Sequence, residues 1–170
     1  ISPKSYNNKF GVPLSLSNIK QNDEYGILEV GMDKKGEIDY LSKIIEPDVG
    51  VITNINYAHA KNFKSIKQIA LAKSEIIKNI RPNGFVVLNT DDNFFELHKK
   101  IAYKKNLKVI SFGIKSNKAN IKLSSIKPLG KQFKINISFN NENKYFLLSN
   151  NFQNNIYNIL SALAVISIYK

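Results

Sequence analysis

Between residues 48 and 112 the sequence alternates short, largely apolar runs with longer segments whose apolar residues recur at helical spacing. Few folds accept that alternation. The runs at 48–53, 85–88 and 108–112 have the length of strands, and 48–53 is apolar on both faces, as parallel strands buried under helices tend to be. Ser65 opens a helical segment reaching Ile80, with Ile66, Ile69, Ala70, Ile76, Ile77 and Ile80 on its inward side, and Pro82-Asn83-Gly84 closes it. Residues 94–103 form a second such segment. Strands separated by helices predict βαβ units, right-handed crossovers and a parallel sheet.

The same grammar runs upstream. Asn7-Asn8 and Gly11-x-Pro13 read as a loop leading into a short helix over 14–19, and residues 26–30 read as a strand. Ile38, Leu41, Ile44 and Ile45 predict a helix over 36–45, stopped by Pro47. Downstream the period changes. Residues 120–126, 132–139 and 144–148 alternate polar and apolar, with turns at Pro128-Leu129-Gly130 and 140–143. That pattern predicts an antiparallel meander with one wet face. A last helix spans 153–169. The expected architecture is α/β: a mostly parallel sheet flanked by helices, with a small antiparallel β-meander at 119–148. One domain of 1–170 accommodates it, without internal repeat or long linker.

Composition narrows the function classes. With 170 residues and 43% hydrophobic content the chain can bury a sizeable core, and no apolar run reaches the ~18 residues of a membrane span. The absence of cysteine excludes a disulfide scaffold and thiolate metal ligation, and favours a cytoplasmic setting. A net charge of +12 suggests nucleic acid, but the cations are lysines scattered along the chain, with Arg81 the single arginine. Sequence-specific readers use arginine forks and aromatic platforms, so a solvated lysine surface that favours anionic ligands is the better reading. No nucleic-acid partner and no membrane insertion are expected.

Three residues stand out chemically. Glu29 is expected where an apolar run leaves a sheet, before Val30-Gly31. There a carboxylate suits magnesium, or equally a cap or a surface ion pair. His59 follows the polar run end at Thr53-Asn54, as a ligand or as an ordinary hydrogen-bonded histidine. Lys73 shares a helical stripe with Ile66, Ile69, Ile76 and Ile80. A snorkelling stem explains this, as does a lysine of lowered pKa that reacts with CO2 to give an anionic carbamate. His98 carries no assigned role. No G-x-x-x-x-G-K-[ST] or G-x-G-x-x-G loop occurs, so the chain holds no phosphate cradle of those kinds.

Six blocks in order, YNNKFGVPLSL, EVGMDKKGEI, VITNINYAH, IALAKSEI, FVVLNTDD and FQNNIYNILSALAV, resemble the central ATP-binding domain of the Mur ligases. The likeness covers nearly the whole chain and is weakest over the meander. It implies an ATP-dependent amide-bond ligase of peptidoglycan precursor synthesis, acting through an acyl phosphate with ATP and Mg2+ as cofactors. EVGMDKKGEI points to the branch that joins a UDP-N-acetylmuramoyl tripeptide to D-alanyl-D-alanine. The resemblance makes Glu29 and His59 magnesium-associated and Lys73 the carbamate-bearing lysine. It sets Asn54 near the phosphates, Asn8 near the acceptor carboxylate, and Asn155 and Asn158 beside the adenine. Asp91 and Asp92 match a recurring pair and receive no role.

Phe152 and Asn154 depart from the glycine and histidine usual in the last block, so adenine or ribose contacts are expected to differ. The family's phosphate loop is expected just before Ile1, which makes this chain a fragment, inactive alone, of an enzyme that is monomeric when complete. A degenerate non-catalytic module and a different amide ligase of the family are the alternatives.

Overall fold

The structure, a computed structural model, describes residues 1–2, 6–57, 62–140, 142–149 and 155–169. Two compact units divide it: Ile1–Asp48 with Asn56–Arg81, and Val49–Ile55 with Pro82–Lys170.

The first unit is helical: α1 (Gly11–Ser17), α2 (Glu37–Ile45), α3 (Ile66–Lys73) and α4 (Glu75–Lys78). Helix α1 begins earlier than the sequence predicts. The Asn8 side-chain oxygen accepts from Phe10 N and Gly11 N at 3.0 Å, and Pro13 falls in the first turn, where its missing N–H costs nothing. The expected strand at 26–30 does not form; the segment is irregular. Its backbone takes isolated bonds, Ser2 N to Ile27 O at 2.9 Å and Gly31 N to Asn7 O at 2.7 Å, which do not make a ladder. Glu29 therefore leaves a tethered loop rather than a strand. The single helix predicted from Ser65 is also corrected. Ser65 does cap α3 by accepting from Gln68 N, but the helix breaks at Ser74, whose hydroxyl donates to Leu71 O at 2.7 Å. Such back-bonding bends helices.

The second unit holds one six-stranded sheet: β1 (Val49–Ile52), β2 (Phe85–Asn89), β3 (Lys108–Gly113), β4 (Ile121–Leu129), β5 (Gln132–Phe139) and β6 (Glu142–Ser149), in that spatial order. The first three pairings are parallel and the last two antiparallel. Among the described residues strand β1 pairs with β2 alone, and Val51 is 37% exposed where burial on both faces was expected. The β3–β4 pairing lasts only from Phe112–Ile121 to Gly113–Lys122, after which β4 leaves to join the meander. Strand β4 also runs through Pro128, expected in a turn. Beyond Lys122 its far side has no partner strand among the described residues, so a residue without an N–H is tolerated there.

Helix α5 (Phe95–Lys104) joins β2 to β3 and packs on both. Helix α6 (Ile156–Ile166), continued by a 3-10 turn at Ser167–Tyr169, packs on β2, β3 and β4. Leu160 and Ala164 of α6 close a core with Val87, Phe112, Ile121, Ile135 and Ile137, all fully buried. Val86 and Leu88 point to the opposite sheet face and are equally buried, so β2 is covered on both sides. His98 is buried on α5.

Candidate functional site

In the first unit the block 29–37 forms a tethered loop that ends in a helix. Glu29 is exposed, and its Oε1 accepts from Asn7 Nδ2 at 2.9 Å. Glu37, in the first turn of α2, reaches back to Asp33 N at 2.6 Å and Lys34 N at 2.8 Å. Those two N–H donors hold its carboxyl below the usual range. The helix itself starts on Gly36, in the left-handed region at φ 92°.

A residue the sequence reading passed over completes this corner. Glu75 is 4% exposed, and both its oxygens accept from Gly36 N at 3.0 Å while Oε2 accepts from Asp39 N at 3.2 Å. A carboxylate from α4 therefore caps α2, where the helix dipole favours negative charge. One turn on, Asn79 Nδ2 donates to Asp39 O and Ser42 Oγ, at 3.1 and 2.9 Å. The signal was present: Ile69, Ala72 and Glu75 lie three apart, which sets a carboxylate on a buried stripe. Lys73 is the last residue of α3 and half-buried, on the flank of that stripe rather than its centre.

Among the described residues no group of three His, Asp or Glu could enclose a metal, and His59 lies outside them. Magnesium usually takes one or two carboxylates and completes its shell with phosphate oxygens and waters. Glu29 fits that demand, with a hard donor, exposed, whose Oε2 accepts no hydrogen bond among the described residues.

In the second unit the turn after β2, Asn89-Thr90-Asp91-Asp92, gathers the carboxyl ends of the strands. Thr90 donates to Phe112 O through both N and Oγ1, at 2.8 and 3.0 Å. That approach depends on Gly113, where a Cβ would lie 2.1 Å from Thr90 Oγ1. Asn89 Nδ2 donates to Thr53 O at 3.0 Å, and Asp92 accepts from Ile55 N at 2.7 Å and Phe94 N at 2.8 Å. Asp91 accepts from Ile114 N at 2.6 Å, from Lys115 N and Ser116 N, and from the Tyr157 hydroxyl at 3.1 Å. Burial pushes the Asp91 carboxyl up, but those four donors together outweigh it and hold it low. Burial, then the bond to Asp91, raises Tyr157.

Asn54 is exposed beside this turn, accepting from Thr53 Oγ1 at 3.2 Å. Asn155 and Asn158 are exposed at the start of α6. Asn8 spends its side-chain oxygen on α1, and its amide N–H groups donate to no other group among the described residues. Phe152 and Asn154 lie outside the described residues.

Residues 1–166 match the Mur ligase middle domain. The chain belongs to the Mur ligase family. It is 43% identical over 122 residues to the UDP-N-acetylmuramoyl-tripeptide–D-alanyl-D-alanine ligase of Buchnera aphidicola subsp. Acyrthosiphon pisum, covering 71% of this chain and 26% of that protein. A crystal structure of MurF from Acinetobacter baumannii superposes with a TM-score of 0.84 at 28% identity, over 96% of this chain and 35% of that one. MurF from Thermotoga maritima, solved in complex with ADP, shares the fold with a TM-score of 0.83 at 24% identity, over 99% of this chain and 38% of that one. The chain thus spans between a quarter and two fifths of the length of these proteins.

Proposed function

We propose that this chain is the middle domain of an ATP-dependent ligase that joins D-alanyl-D-alanine to a UDP-N-acetylmuramoyl tripeptide in the cytoplasm. The observation that carries the reading is the 43% identity over 122 residues to a ligase of that name, supported by the superposition on a MurF structure at TM-score 0.84. The ADP complex of the Thermotoga maritima protein supports a nucleotide as the phosphate source.

The reaction joins a carboxylate to an amine. ATP phosphorylates the tripeptide's terminal carboxylate, the amine of D-alanyl-D-alanine attacks the acyl phosphate, and phosphate leaves as the amide forms. Such transfer is limited by positioning and by the repulsion between carboxylate and triphosphate. Glu29, with His59 and a carbamylated Lys73, would hold Mg2+, which when bound neutralises phosphate charge. Asn54 orients phosphate oxygens by its amide. Asn155 and Asn158 present amides to the adenine edge, and the free N–H groups of Asn8 suit the acceptor carboxylate.

The test is ADP release by the full-length protein carrying this chain, supplied with ATP, Mg2+, the UDP-linked tripeptide and D-alanyl-D-alanine. Release that requires both substrates supports the reading. Release indifferent to D-alanyl-D-alanine but dependent on another amino substrate refutes this specificity.

A further inference from the structure

The paired aspartates after β2 have no part in the chemistry above, yet they are among the most heavily bonded side chains of the second unit. Their bonds fall on the flanks of the residues read as nucleotide contacts. Asn89 Nδ2 donates to Thr53 O at 3.0 Å and Asp92 Oδ2 accepts from Ile55 N at 2.7 Å, so the residues on either side of Asn54 are pinned to one turn. At the other end of that turn, Asp91 Oδ2 accepts at 3.1 Å from Tyr157, which stands in the first turn of α6 between Asn155 and Asn158. The turn is itself fixed to β3 by Thr90 on Phe112 O, with Gly113 making room.

We infer that the turn 89–92 is a brace that positions the nucleotide-binding asparagines, holding Asn54 through Asn89 and Asp92 and the start of α6 through Asp91 and Tyr157. This rests on the reading of Asn54, Asn155 and Asn158 as nucleotide contacts. Two features separate a brace from a catalytic group. Asp91 is saturated by three backbone N–H donors and a hydroxyl, which keep it ionised and leave it nothing to exchange with a substrate. Asp92 likewise divides its two oxygens between Ile55 N and Phe94 N. Both act on Asn54 and α6 through backbone and tyrosine, which makes them positioning residues. The physical gain is preorganisation: an amide held in place before binding loses less freedom when the base or phosphate arrives.

The experiment measures ADP affinity, KM for ATP and kcat in the full-length protein for Tyr157→Phe and Asp92→Asn. Asn158→Ala and Asn54→Ala test the underlying contacts, and Asn136→Ala, which removes a bond to Ser125 in the meander, serves as control. Tyr157→Phe removes one hydroxyl without changing shape, so folding is retained. The expected result is ADP binding weakened roughly threefold to tenfold in each brace variant, with KM for ATP raised in step and kcat within about twofold of the parent. Asn136→Ala should lower Tm and leave ADP affinity unchanged. If Asn158→Ala weakens ADP binding while Tyr157→Phe and Asp92→Asn lower only Tm, the nucleotide reading stands and the brace is refuted. If Asn54→Ala and Asn158→Ala also bind ADP as the parent does, the nucleotide reading fails and the brace falls with it.

Discussion

Glu29 and Asp91 are both carboxylates placed after an apolar run, and they live in opposite conditions. Glu29 is exposed and receives one N–H, from Asn7. Asp91 receives three backbone N–H groups and a tyrosine hydroxyl. Glu75 resembles Asp91 in being committed to backbone N–H groups, and it is the more buried of the two, at the start of α2. The difference teaches which carboxylates are available. A carboxylate whose lone pairs are filled by the protein stabilises the fold, whereas one left short of donors can take a cation, which in turn can bind phosphate oxygens. Four substitutions separate the available carboxylates and Lys73 from the committed ones.

The largest effect belongs to Lys73. In the full-length enzyme Lys73→Ala should cut ligase activity by about 100-fold or more, with partial rescue by added short carboxylates. Because Lys73 is half-buried on the flank of its helix, Tm should move little. Full activity in Lys73→Ala defeats its assigned role.

Glu75→Ala comes next and should act on stability. It strands Gly36 N and Asp39 N and opens a buried space, at a cost of about 2–4 kcal/mol by denaturant unfolding. A loss under about 1 kcal/mol would place Glu75 with the available carboxylates instead.

Asp91→Asn should cost about 1–2 kcal/mol at neutral pH and change the acid limb. The folded-state pKa of Asp91 is lowered, so its contribution is complete above the unfolded-state value of about 3.9 and is lost as pH falls through the folded-state value. The variant should therefore show a shallower loss of stability on acidification than the parent. An unchanged acid limb would mean that Asp91 is not the ionised acceptor described.

The smallest effect is at Gly36. At φ 92° an alanine is strained by roughly 1 kcal/mol, and no neighbour lies within 4 Å of the added Cβ, so the backbone term alone is measured. A neutral or stabilising Gly36→Ala would show that the α2 entry is not held by Glu75 as drawn.

Much of the sheet was legible in the sequence, because buried parallel strands read as apolar runs and the meander as alternation. Helices α2, α5 and α6 followed from their 3.6 period. What stayed hidden was non-local. Residues 26–30 have a strand's composition, but a strand is a ladder, and their hydrogen bonds come singly from Ser2 and Asn7. The break at Ser74 turns on one hydroxyl bonding back to Leu71 O. Glu75 looked like one more polar residue of a helix, since its partners lie 36 and 39 positions away. Glu29, Lys73 and the asparagines of the candidate site are singled out by their blocks, not by spacing, since each residue type has an ordinary structural reading.

The most direct test of the division is the binding of Mn2+, a stand-in for Mg2+, to the ADP-loaded full-length protein, read by electron paramagnetic resonance. Glu29→Gln should abolish most protein-bound Mn2+, while Asp91→Asn leaves it near the parent level. Parental Mn2+ binding in Glu29→Gln, or its loss in Asp91→Asn alone, contradicts the account.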